Sequence, residues 1–81
     1  MNSQQIAQMI QTGIPGAEAI VKSDDNVHFE ALVISATFAG KRPVQRHQLV
    51  YETLGEKMGN EIHALALQVL TPDEAAQQPL K

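Results

Sequence analysis

The chain has no cysteine in its 81 residues. Disulfides and zinc-thiolate sites therefore cannot staple it. It can supply no thiolate to a cluster and perform no thiol chemistry, so any soft metal ligand must come from another molecule. A chain this short buries roughly 60–65% of its unfolded surface, which leaves apolar packing, or a partner, to hold it together. Aromatic residues are scarce, with one tyrosine and two phenylalanines, and none is interleaved with the basic residues as a stacking platform for bases. Long apolar runs are missing, so nothing is expected to span a membrane. The start, Met1-Asn2-Ser3-Gln4-Gln5, lacks the basic region and apolar stretch of a signal peptide, and the expectation is a cytoplasmic protein. A net charge of −3 argues against nonspecific nucleic-acid binding, which draws its affinity from phosphate neutralisation.

Catalytic patterns are also missing. No serine stands in a G-x-S-x-G context, and no G-x-x-x-x-G-K or G-x-G-x-x-G loop offers a phosphate cradle. The carboxylates are scattered, and Asp24-Asp25 fall where turn capping explains them. The expectation is a protein that is not an enzyme.

What is present reads as one domain, residues 1–81, ordered α-β-β-α-β-α. Asn2 or Ser3 caps a helix to about Thr12, whose Ile6, Met9 and Ile10 follow the i, i+3, i+4 rule. Gly13 and Pro15-Gly16 stop it. Strands over Ala17–Lys22 and Val27–Ser35, joined by Ser23-Asp24-Asp25-Asn26, form an antiparallel hairpin. After the turn Ala39-Gly40-Lys41, Pro43 suits the first turn of a helix running from Val44 to about Met58, with Gly59 as its stop. At 100° per residue, Val44, His47, Val50, Tyr51, Leu54 and Met58 fall on one stripe, expected to face inward, while Leu49 falls off it and is expected to be exposed. A third strand runs from Ile62 to Leu70. Thr71 caps a last helix with Pro72 at its first position and Glu74 completing a capping box, and Pro79 ends it. A hairpin plus one strand cannot cover its own apolar face, so the fold class is α+β, a three-stranded sheet with helices on one side. The topology is class II KH-like, but Gly40-Lys41-Arg42-Pro43 lacks the second glycine of the Gly-x-x-Gly loop that clamps an RNA backbone.

Four groups of residues are candidates for function. His47 and Tyr51, one turn apart, read as structural. The basic trio Lys41, Arg42 and Arg46 admits three readings: a solvated turn, a phosphate site at a helix start, or a docking surface for an acidic partner. His28, beside the acidic turn, reads as a polar edge residue. His63 shares a strand face with Leu65, Leu67 and Val69, and on its own reads as a satisfied structural histidine.

Two segments taken together resemble the BolA family. The first is Phe38, Gly40, Lys41-Arg42, Arg46-His47 and Val50-Tyr51; the second is Ile62-His63-Ala64-Leu65, followed by Thr71-Pro72. The resemblance runs from about residue 3 to residue 76. It implies a partner of monothiol glutaredoxins that shares a [2Fe-2S] cluster with them, in iron sensing and cluster delivery. Glutaredoxin and glutathione would supply the sulfur ligands, and His63, matching the family's strand histidine, would supply imidazole. Many members carry a second His or Cys in the loop between the first two strands. Here Ser23-Asp24-Asp25-Asn26-Val27 has neither, so His28 serves or ligation rests on His63 alone. The resemblance also implies an alternative, a DNA-binding transcriptional regulator of stress response and cell morphology acting through Lys41, Arg42 and Arg46. A third reading is an interaction module docking through the basic turn and Leu49. Alone, the chain is expected to be a monomer or weak homodimer.

Overall fold

The computed structural model describes residues 2–59, 62 and 64–77. Its elements are α1 (Ser3–Gly13), β1 (Glu18–Lys22), β2 (His28–Ile34), α2 (Pro43–Leu54), β3 (Ala64–Leu70) and α3 (Pro72–Gln77). Asn2 caps α1 reciprocally: its Oδ1 accepts from the Gln5 N–H at 2.9 Å, and the Gln5 side chain accepts from the Asn2 N–H at 2.9 Å. Two of the helix's orphan donors are thereby satisfied. Thr71 and Glu74 repeat the device at α3, with Thr71 N–H to Glu74 Oε1 at 2.9 Å and Glu74 N–H to Thr71 Oγ1 at 3.2 Å.

The sheet has the order β1-β2-β3. β1 and β2 pair antiparallel from Glu18↔Ile34 to Lys22↔Glu30. β3 pairs with β2 in parallel, from His28↔Ala64 to Ile34↔Leu70. A parallel partner needs a long crossover, and α2 lies within it. The pleat sorts side chains by parity. Phe29, Ala31 and Val33 point to the helices and join Ile6, Ile10, Ile14, Phe38, Val50, Leu54 and Ile62 in the core. Their neighbours His28, Glu30, Leu32 and Ile34 stand on the opposite face, which neither α1 nor α2 covers.

Three expectations for the second half of the chain are corrected. α2 ends at Leu54, not near Met58: Gly55 takes up φ +53° and the chain tightens into a 3-10 turn over Gly55–Lys57. A left-handed φ is cheap only for glycine, so the first glycine met stops the helix. The inward stripe is also rotated. Val44 is 67% exposed and Tyr51 37%, whereas Leu49 packs against the core. Val50 and Leu54 anchor α2 in the core, and Arg46, one turn before Val50, points inward with them. That choice of face turns Val44 and Tyr51 toward solvent. The third strand starts at Ala64, not Ile62. Ile62 donates its N–H to Lys57 O at 2.9 Å, accepts from Gly59 N–H at 2.8 Å, and makes only an isolated bridge to Met58. Pro79 lies outside the described residues. No helix among the described residues is long and apolar enough to cross a membrane.

Candidate functional site

The β1–β2 turn is built around Asp25. Its Oδ1 accepts the backbone N–H groups of Val27 and His28, each at 2.9 Å, and lies 3.3 Å from the Ser23 hydroxyl oxygen. Ser23 Oγ in turn accepts from Asn26 N–H at 2.9 Å and donates to His28 O at 2.6 Å. These bonds support Asn26 in a left-handed conformation, φ +59°, which asparagine tolerates better than most residues. The second carboxylate oxygen, Oδ2, lies 2.9 Å from His28 Nδ1.

That contact fixes a tautomer. The His28 side-chain hydrogen bond, followed by the two backbone bonds, holds the Asp25 carboxyl well below the usual carboxylate range. Asp25 is therefore ionised and can only accept, so Nδ1 must carry the proton. Neutral His28 then keeps the lone pair of Nε2 for another ligand. An imidazole that gives one N–H to a carboxylate and keeps the other nitrogen free is the usual arrangement of a histidine metal ligand. The His28 side chain is 74% exposed, and Asp25 is 51% exposed. With Lys22, Glu30, Ala64 and Ala66, the turn lines an open hollow of about 460 Å³. His28 pairs across the sheet with Ala64, the residue that follows His63 in sequence. His63 itself lies outside the described residues. Among the described residues no three His, Asp or Glu side chains gather closely enough to hold a metal ion.

The basic trio does not act as a unit. Arg46 is only 12% exposed, and its guanidinium forms a two-pronged bridge to Glu74, Nη1 to Oε1 at 2.7 Å and Nη2 to Oε2 at 3.3 Å. It also donates to Lys41 O at 2.9 Å and Val69 O at 3.2 Å. Arg46 thus ties α2 to β3 and α3, and is not displayed for docking. The bridge, with further hydrogen bonds from Thr71, lowers the Glu74 carboxyl's pKa. Arg42 is exposed and Lys41 half-buried, so these two remain at the start of α2. His47 is half-buried; Tyr51, expected beside it in an inward stripe, is on the surface.

Sequence reasoning missed two pairs, Asp25–His28 and Arg46–Glu74. The first had a local signal, an aspartate three residues before a histidine in a turn. The second, 28 residues apart, had none.

The model of the BolA-like protein family matches residues 5–74. Over 47 residues the chain is 49% identical to the DNA-binding transcriptional regulator BolA of Haemophilus influenzae, covering 58% of this chain and 46% of that protein. Over 59 residues it is 41% identical to BolA-like protein 1 of Mus musculus, covering 73% of this chain and 43% of that one. The matched region is thus less than half the length of either relative. Among solved structures, that of a bolA protein homologue from Coxiella burnetii is similar with a TM-score of 0.86 at 41% identity, covering 95% of this chain and 99% of the other.

Proposed function

Because the chain belongs to the BolA family, we propose that it is a non-enzymatic partner of a monothiol glutaredoxin, with which it shares or transfers a [2Fe-2S] cluster in iron-sulfur trafficking and iron sensing. The cluster is cargo held between two proteins. The observation that carries this reading is His28, an exposed imidazole whose Nδ1 is held by Asp25 and whose Nε2 is left for a ligand. The donor chemistry agrees. A chain without cysteine supplies no thiolate, so the sulfur ligands would come from the glutaredoxin and glutathione. This chain would add imidazole from His63, with His28 as the second candidate. Imidazole in place of thiolate on one iron raises the reduction potential. Because the ligand must be neutral, binding should weaken in acid as the imidazoles protonate.

The test is to reconstitute the cluster anaerobically on a monothiol glutaredoxin with glutathione, then titrate in this protein while recording visible circular dichroism. The expected result is a new spectrum that saturates at one protein per glutaredoxin, is lost with His63→Ala and is weakened several-fold with His28→Ala. An unchanged spectrum overturns the reading.

A second reading, regulation through DNA, is favoured by the name of the H. influenzae relative. It would rest on Lys41 and Arg42 at the start of α2, since Arg46 is committed to Glu74. Such binding would fall steeply with added salt, be lost in a Lys41→Ala/Arg42→Ala variant, and be indifferent to His63→Ala.

A further inference from the structure

The two oxygens of the Asp25 carboxylate have separate roles. Oδ1 holds backbone, accepting the Val27 and His28 N–H groups at 2.9 Å each. Oδ2 holds none: among the described residues its hydrogen-bond partner is His28 Nδ1, at 2.9 Å. The first set of bonds shapes the turn. The second links two side chains, adds nothing to the path of the backbone, and acts on an imidazole that is 74% exposed. A ring so exposed, with no acceptor beside it, would share its proton between the two nitrogens and turn in solvent. Oδ2 removes both freedoms, and it is itself steadied by the backbone bonds that Oδ1 makes on the other side of the same carboxylate.

We propose that Asp25 is a positioning residue for metal binding, fixing the His28 imidazole so that Nε2 is the atom presented to the shared cluster. The inference rests on the cluster-sharing reading and extends it from His28 to the residue that directs His28. Asparagine at position 25 separates this role from that of building the turn. It keeps the shape of aspartate but carries one oxygen and one NH2 group. The oxygen must take the place of Oδ1, because the opposite placement would set the NH2 against two backbone N–H donors. The NH2 then stands where Oδ2 was and faces Nδ1 as a donor, which requires Nδ1 to be bare. The single proton of the neutral ring passes through solvent to Nε2, the nitrogen needed for the metal. Asp25→Asn thus keeps the backbone bonds of the turn and reverses which nitrogen can ligate.

Losing the hydrogen-bond partner behind a metal-bound imidazole typically costs about 10–100-fold in affinity. Here the ceiling is lower. An effect that passes through His28 cannot exceed the loss of the His28 side chain itself, and it must vanish once that side chain is gone. A purely structural role for Asp25 would instead add to the effect of removing His28. Ser23 supplies the contrast: its hydroxyl bonds Asn26 N–H and His28 O, so Ser23→Ala loosens the turn without touching the Oδ2–Nδ1 contact.

The test has two arms. In the free protein, long-range 1H–15N NMR in alkaline buffer, where the ring is neutral, reads which His28 nitrogen carries the proton. The wild type and Ser23→Ala should show it on Nδ1, and Asp25→Asn on Nε2. A wild-type ring protonated on Nε2 overturns the proposal without recourse to any variant. In the second arm each protein is titrated into a monothiol glutaredoxin carrying the cluster and glutathione, followed by visible circular dichroism. Asp25→Asn should weaken binding several-fold, as His28→Ala does, the Asp25→Asn/His28→Ala double variant should be no weaker than His28→Ala, and Ser23→Ala should titrate as the wild type. If Asp25→Asn binds as the wild type does, or Ser23→Ala falls as far as Asp25→Asn while keeping its proton on Nδ1, the proposal is overturned and the cluster-sharing reading stands. If the wild type itself gives no new spectrum, that reading fails and this inference with it.

Discussion

A Cβ placed on Gly13 would lie 2.8 Å from Thr53 Cβ and closer still to its methyl group, where α1 passes α2. Alanine is the better helix former by about 1 kcal/mol, so helix propensity alone would favour Gly13→Ala. The clash decides the sign. Overpacking costs typically 1–3 kcal/mol, and Gly13→Ala should lower the urea midpoint; Thr53→Ala should recover only part of the loss, because it removes the methyl but keeps the Cβ that would lie 2.8 Å away. Read from sequence, Gly13 is a helix stop. Its role as the point of closest approach between two helices depends on a residue 40 positions away. The His28 site has the same limitation. Its exposure at a strand end is legible from its neighbours, although it opens the central strand and not an edge, and the tautomer that frees Nε2 depends on how the turn orients Asp25.

Among elements, α2 is positioned by one long side chain. Arg46 donates to Lys41 O, Val69 O and both oxygens of Glu74, joining α2, β3 and α3. Hydrogen bonds to charged groups contribute about 1.5–3 kcal/mol each, less where solvent reaches them. Arg46→Ala should therefore destabilise the fold by roughly 2–4 kcal/mol, measured by urea unfolding, and Arg46→Lys should recover little because one ammonium cannot match the fork. Neutralising Lys41 or Arg42 should cost almost nothing in the same assay. Local chemistry was legible here: the cap of α1, the capping box of α3 and the hairpin turn are written in residues close in sequence, although the Gln5 half of the α1 box was not read. The facing of α2 was not, because Val44 and Tyr51 are as apolar as the residues that displace them, and Arg46 looks in sequence like any surface cation. The helix end was misread because Gly55 and Gly59 are both plausible stops. The parallel pairing of β3 has no local signal, since the crossover that imposes it spans most of the second half of the chain.

For the molecule as a whole, acid should act through two carboxyls at opposite ends of the structure. Asp25 and Glu74 both have folded-state pKa values below their ordinary 3.8 and 4.5. Between the folded and ordinary values the unfolded chain binds more protons, so stability falls as pH falls. Their contribution is complete above about pH 5 and is lost progressively below roughly pH 4.5. Both groups are well exposed, so solvent screening keeps the effect small. Urea midpoints at neutral pH and near pH 3.5 should show this loss, and Asp25→Asn should shrink it. The strand order has a separate consequence during synthesis. β2 is the central strand, yet its second neighbour, β3, comes from residues 64–70. A ribosome that has released residues 1–60 but not β3 has exposed β2 with one edge unpaired. Such an edge invites pairing with other nascent chains. The sheet cannot be completed until residues 64–70 emerge, so slow translation through this region would lengthen its exposure to aggregation and to chaperones.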